Sequence, residues 1–150
     1  EGNKDCMQLT RLVYASHHGG TSEEAIRDIF DRSCKNNAND GITGLLIAGD
    51  EDFLQLLEGN RTVVAECMMR IMRDDRHQRI RILLAGEARN RLFSQWSMRC
   101  LKAAEIPQEI QDRYWVNGIF DPVQLPQAKI EGLCLALSED NSDKTPEMAE

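Results

Sequence analysis

A chain of 150 residues, 41% hydrophobic and 29% charged, describes one soluble globular domain long enough to bury a core. Its net charge of −7 argues against a nucleic-acid partner, no apolar run approaches the ~20 residues that cross a bilayer, and no signal-peptide pattern opens the chain. Five cysteines at long intervals, with no C-x-x-C pair, and three histidines exclude a disulfide frame and a metal site, and place the chain in a reducing compartment, the cytoplasm.

Residues 1–8 are polar and carry no reading. Leu9–Ser16 reads as a strand with Leu12 and Tyr14 on one face and Leu9, Val13 and Ala15 on the other, a central strand covered on both sides. After a His17–Thr21 loop, a helix starts at Thr21 or Ser22, with Thr21-Ser-Glu-Glu24 as a capping box. Its inner stripe runs Ala25/Ile26, Ile29/Phe30, Ser33/Cys34 and Asn37, so it turns polar towards its end. Ser33, Asn36 and Asn37 read either as end-capping groups or as the start of a polar site.

Two apolar runs, Ile42–Ala48 and Phe53–Leu57, flank the turn cluster Gly49-Asp50-Glu51-Asp52 and predict a β-hairpin with a loop of four residues or slightly more. Phe53, Gln55 and Leu57 share one face of the second strand. Burying the Gln55 amide without partners would cost about 1–3 kcal/mol, so a partner is expected. Asn60 or Thr62 caps a second helix to about Asp74, with core stripe Val64, Cys67/Met68, Ile71 and Met72. Arg70 and Asp74, four apart, share a face and read by themselves as a surface ion pair. The basic cluster from Arg70 to Arg81 reads as a solvated helix end with the next strand's edge, or as a site for one phosphorylated ligand.

Ile80–Ala85 predicts a fourth strand, alternating with Arg79 and Arg81, with Leu83 on the face of Val13, Leu54 and Leu56. Leu92–Leu101 predicts a fifth, with Phe93, Gln95, Ser97 and Arg99 on one face and Trp96, Met98 and Cys100 on the other. The order βαββαββ predicts an α+β, ferredoxin-like fold with a five-stranded mixed sheet and two helices on one face. The other face needs a cover, and a helical pair from residues 103–137 supplies it: Ala103–Tyr114 around Pro107, and Pro122–Leu137. Ser138–Glu150 is acidic, lacks core residues and is expected to be disordered.

In order and spacing, L-x-R-L-V-Y-A-S at 9–16, N-N-x-x-D-G-I-T-G-L-L at 36–46, F-L-Q-x-L-E-G at 53–59, D-x-R-H at 74–77 and W-S-M at 96–98 resemble the BLUF domain, a blue-light sensor that uses flavin. The resemblance covers roughly residues 8–101, and the C-terminal segment is similar to that of short, stand-alone BLUF proteins. It implies a photosensor core at 1–101, a helical cap at 102–137 and a tail at 138–150. It also implies FAD, with FMN or riboflavin as alternatives, held non-covalently between the two helices.

Carried over by position, Tyr14 and Gln55 form the photoswitch beside the flavin ring, and Trp96 and Met98 carry the signal. Asn37 holds the pyrimidine edge, with Asn36 and Ser33 beside it. Arg70 and Asp74 lie near the O2/N3 edge, Arg76 and His77 near the ribityl-phosphate end, and Ile29 and Ile71 sandwich the ring. An isoalloxazine needs apolar faces with donors and acceptors at its edge, and amides supply both. Tyr14, an oxidisable phenol, can give an electron and a proton and take them back, leaving the amide rotated or tautomerised.

The expected function is a non-enzymatic photoreceptor that signals through protein–protein contacts, as a homo-oligomer and with a separate downstream regulatory protein, without nucleic acid or membrane. The alternatives are a light-inactive ferredoxin-like interaction module and an acylphosphatase-like hydrolase. The latter wants an arginine in the loop after the first strand, where Ser16-His17-His18-Gly19-Gly20 has none. The same loop departs from the BLUF pattern, in which an arginine often follows the Tyr-x-Ser motif.

Overall fold

The strands carry apolar residues on both faces, which requires a sheet covered on both sides. The computed structural model describes residues 9–140 and meets that requirement. Strands β1 (Leu9–His17), β2 (Thr43–Ala48), β3 (Asp52–Asn60), β4 (Gln78–Glu87) and β5 (Arg99–Lys102) form one mixed sheet in the order β4-β1-β3-β2-β5. All pairings are antiparallel except β2 with β5. Helices α1 (Glu23–Asp40) and α2 (Arg61–Met72) pack on one face with Tyr14, Leu46, Phe53 and Leu57. Helices α3 (Gln108–Tyr114) and α4 (Gln127–Glu139) cover the other, over Val13, Leu45, Ile47, Leu54 and Leu56. The expected architecture is the observed one.

Local chemistry sets the ends of these elements. Ser22 caps α1 by accepting from the Ala25 amide at 3.2 Å. The expected Thr21–Glu24 capping box does not form, because the Thr21 hydroxyl turns back to the His18 carbonyl at 3.3 Å. Gly41, at φ 71°, ends the helix in the left-handed conformation that glycine adopts without steric cost. Asn60 caps α2, accepting from the Thr62 and Val63 amides. Gly44 permits the close approach of β2 to β3. A Cβ there would lie 1.9 Å from the Leu56 carbonyl oxygen and 3.4 Å from Met98 Cε.

Four expectations about the elements need correction. Met72 is half exposed, because the packed stripe of α2 is Val64, Cys67 and Met68 and the helix ends before another turn could bury it. A bulge in β4 opposite Val13 and Tyr14 breaks its alternation, so Leu83 and Leu84 both pack on the α3/α4 side. The 103–114 segment is a 3₁₀ turn, Ala103–Glu105, followed by a separate helix beyond Pro107.

The fourth correction bears on the site. The fifth strand spans only Arg99–Lys102, not Leu92–Leu101. Buried Glu58 takes the Leu92 and Phe93 amides on its two carboxylate oxygens at 2.9 and 2.7 Å, and a turn closes from the Trp96 amide to the Phe93 carbonyl at 3.1 Å. Backbone groups engaged in this way cannot join a ladder.

At the C-terminus α4 runs through Glu139, and the expectation of a disordered tail otherwise falls on residues outside those described. The four cysteines in the described region are free thiols. Among the described residues no helix is long and apolar enough to cross a membrane.

Candidate functional site

The β1–β3 register places Tyr14 directly opposite Gln55 at the centre of the sheet, on the α1/α2 face. Directly opposed side chains lie within reach of each other, and the Tyr14 hydroxyl donates to Gln55 Oε1. The amide's other end donates from Nε2 to Met98 Sδ at 3.5 Å. Gln55 is thereby oriented by a phenol on one side and a thioether on the other. Burial raises the Tyr14 hydroxyl well above its ordinary value, so it keeps its proton at neutral pH.

A cleft of about 130 Å³, open to solvent, lies above this chain between α1 and α2. Tyr14 is buried beneath it. Ile29, Ser33, Asn36, Asn37, Gln55, Arg70, Ile71, Asp74, Arg76 and His77 all line it, so the structure gathers the expected cofactor residues in one place. Arg32 and Cys67 line it as well. The sequence pattern places Cys67 only in the core stripe of α2. Arg32 follows Ile29 by three and precedes Asn36 by four, so a helix face drawn through 29, 32, 33 and 36 would have found it.

The charged groups pair differently from the sequence expectation. Arg70 reaches Asp40 at 2.7 Å, not Asp74. Asp74 instead takes the Arg76 guanidinium at 2.8 and 3.0 Å and the Arg76 amide at 3.0 Å. The tight turn brings these groups together at shorter range than a helical i,i+4 pair would. The Arg76 hydrogen bond holds the Asp74 carboxyl down at about 2, and the Arg76 guanidinium is raised in turn. Arg76 Nη1 also reaches Asp28 on α1 at 3.0 Å. Two arginine clamps thus join α1 to α2 and to the loop beyond it. Buried Asn37 accepts the Cys67 thiol on Oδ1 at 3.6 Å.

His77 closes the inner end. Its Nδ1 shares a hydrogen bond with Ser16 Oγ at 2.9 Å, and its ring lies 4.9 Å from that of Phe53 and 6.1 Å from that of Tyr14. Burial pushes it down to about 4, so it is neutral. The unfolded chain protonates near 6.5 and the folded one only near 4; protons therefore favour unfolding. We expect the unfolding free energy from urea titrations to be level above pH 7 and to fall between pH 6.5 and 4, by about 3 kcal/mol from this group. His77→Leu should flatten that limb, and an unchanged limb would assign the acid loss elsewhere.

Trp96 and Met98 do not share a face. The Phe93–Trp96 turn resets the alternation, so Trp96 packs with Phe93 in the α3/α4 core while Met98 packs at Gln55.

Residues 9–99 match the family described as BLUF, sensors of blue-light using FAD. The chain belongs to the BLUF family. Curated relatives include the photoactivated adenylate cyclase subunit beta of Euglena longa, 24% identical over 97% of this chain, which spans only 18% of that protein. Among solved structures, BlsA in its photo-activated state is 28% identical, with a TM-score of 0.79 over 91% of this chain and 99% of that one. The dark-state BLUF protein BlrB is 26% identical, with a TM-score of 0.70 over 88% and 98% of the two chains. A bacterial light-regulated adenylyl cyclase is 36% identical over 70% of this chain and 32% of its own, with a TM-score of 0.65.

As a BLUF protein the chain is a flavin photoreceptor, and the cleft has the chemistry a flavin asks for. Ile29 and Ile71 give apolar walls, Asn37 and Gln55 give amides at depth, and arginines line the rim.

Proposed function

We propose that this protein is a cytoplasmic blue-light receptor that holds FAD between α1 and α2 and signals through contacts, as a homo-oligomer and with a separate regulatory protein, without turnover of a substrate. The carrying observation is the buried chain Tyr14–Gln55–Met98 on the floor of the cleft. The bound flavin supplies visible absorption and, once excited, an acceptor for an electron.

In this reading Ile29 and Ile71 exclude water from the ring faces. Asn37, with Ser33 and Asn36 beside it, meets the pyrimidine edge, and Arg70 and Asp74 lie near O2 and N3. Arg76 and His77 face the ribityl-phosphate end. The family description favours FAD over FMN or riboflavin. Tyr14 keeps its proton in the dark and Gln55 holds the acceptor for it. When the amide rotates, Nε2 leaves Met98, and β5, which Met98 directly precedes, registers the change.

The test is a visible absorption spectrum of the purified protein, in the dark and just after blue illumination, with the extracted flavin identified by chromatography. A small shift to longer wavelength that recovers in the dark, with FAD released on denaturation, is the expected result. A flavin spectrum that does not move would overturn the switch. FMN in the extract would correct the cofactor alone.

A further inference from the structure

Arg99 is the first residue of β5, follows Met98 directly, and is only 1% exposed. Its guanidinium lies over the Trp96 ring, 5.1 Å from the centroid. Nη1 donates to the Leu137 carbonyl at 2.6 Å and to the Asp140 carbonyl at 3.2 Å, and Nη2 to the Asp140 carboxylate at 3.2 Å. Its Nε is buried and has no hydrogen-bond partner among the described residues. These acceptors lie at the end of α4, where the last carbonyls of a helix have no partner within it. The last turn of α4 has no basic residue of its own. Arg99 is therefore the cap of α4, delivered from the far side of the core.

Stability alone does not require this arrangement. A glycine or an exposed lysine caps a helix without burying a charge, whereas taking an ion out of water costs several kcal/mol before its partners offset it. What the buried arginine adds is a rigid link. Gln55 contacts Met98, Met98 is bonded to Arg99, and Arg99 grips the end of α4. Strand β5 has four residues and, among the described residues, its one sheet partner is β2, so its start can follow Met98.

We propose that Arg99 couples the hydrogen-bond state of Gln55 to the C-terminal end of α4; this rests on the light-sensor reading and adds its route of output. Loss of the Gln55–Met98 contact shifts the start of β5, and the guanidinium changes its hold on Leu137 and Asp140. Arg99 is a positioning residue, since it touches the switch only through Met98. The covalent path from β5 runs through Ala103–Glu105 to α3, so light-dependent changes at α3 and at α4 distinguish the two routes.

The experiment is hydrogen exchange by mass spectrometry on the full flavin-loaded protein, dark and illuminated, with the absorption shift recorded on the same sample. In the parent, exchange over residues 133–140 should change by about threefold or more on illumination. Arg99→Met keeps a stem against Trp96 and removes the donors. It should retain the absorption shift and lose the light-dependent difference at 133–140.

Should Arg99→Met fail to hold flavin, Arg99→Lys decides, because one ammonium cannot span both acceptors; the difference should fall at least about twofold. A cap that is merely structural would speed exchange equally in dark and light and leave the difference intact, and that result in the variant that folds overturns the proposal. A parent that shifts its absorption without any change at α4 overturns the coupling and leaves the sensor reading standing. A parent without the absorption shift overturns both.

Discussion

Gln55→Leu is expected to give a flavin-loaded protein whose absorption no longer shifts on illumination. Gln55 joins the Tyr14 hydroxyl to Met98 Sδ, and among the described residues its side chain has these two hydrogen-bond partners. Leucine fills a similar volume in a site flanked by Phe53, Leu57 and Leu46, so packing survives. The Tyr14 hydroxyl loses its acceptor at a cost of about 1–3 kcal/mol, which a domain with ~5–15 kcal/mol of stability tolerates. The other lining residues, arginines included, are untouched, so flavin should stay bound.

Light-minus-dark difference spectra, at matched flavin loading, measure the effect. The expected signal is indistinguishable from zero, and a shift of parental size would remove Gln55 from the switch. Tyr14→Phe makes an independent check, because it removes the donor of the same chain and leaves Gln55 in place.

The depth to which this site was legible follows from the range of the interactions that build it. Alternation along β1 and β3 put Tyr14 and Gln55 on the same sheet face, and the stripe of α1 brought Ile29, Ser33 and Asn37 over them. These are periodicities of one element and can be read locally. That Tyr14 and Gln55 are directly opposed is a matter of register, which the hairpin turn fixes for β2 and β3 but not for β1.

The arginine pairings were not legible. Arg70 had a local partner four residues on, but an exposed i,i+4 pair contributes only ~0.3–0.5 kcal/mol. Asp40 on the neighbouring helix and the tight Asp74–Arg76 turn outcompete it. Arg99 stood in an apolar stretch with nothing in its neighbourhood to say that its partners lie about forty residues away.

The misplacement of Trp96 has one cause, and it carries the second large expected effect: Glu58→Ala should lower stability by about 3–5 kcal/mol. In a domain of this size that corresponds to roughly 10 °C in melting temperature. Glu58 is fully buried and accepts from the Leu92 and Phe93 amides and from the Thr43 hydroxyl at 3.0 Å. Arg11 Nε lies 3.5 Å from its Oε1 as an ion pair without hydrogen-bond geometry. Alanine leaves the buried Phe93 amide and the part-buried Leu92 amide without their acceptor and a cation without its counter-charge.

Glu58→Gln should cost less, because one oxygen still accepts while the new NH₂ faces a donor. Circular-dichroism melts of the parent and the two variants test the ranking, and tryptophan fluorescence reports whether Trp96 loosens with the freed turn. Tyr14 and Gln55 lie across the sheet from that turn, so the absorption shift should survive in any Glu58→Ala protein that folds. A melting temperature within about 2 °C of the parent, less than a 1 kcal/mol change, would mean that another group holds the 92–98 loop. The same carboxylate that delays the start of the fifth strand is what sends Trp96 to one layer of the core and Met98 to the other.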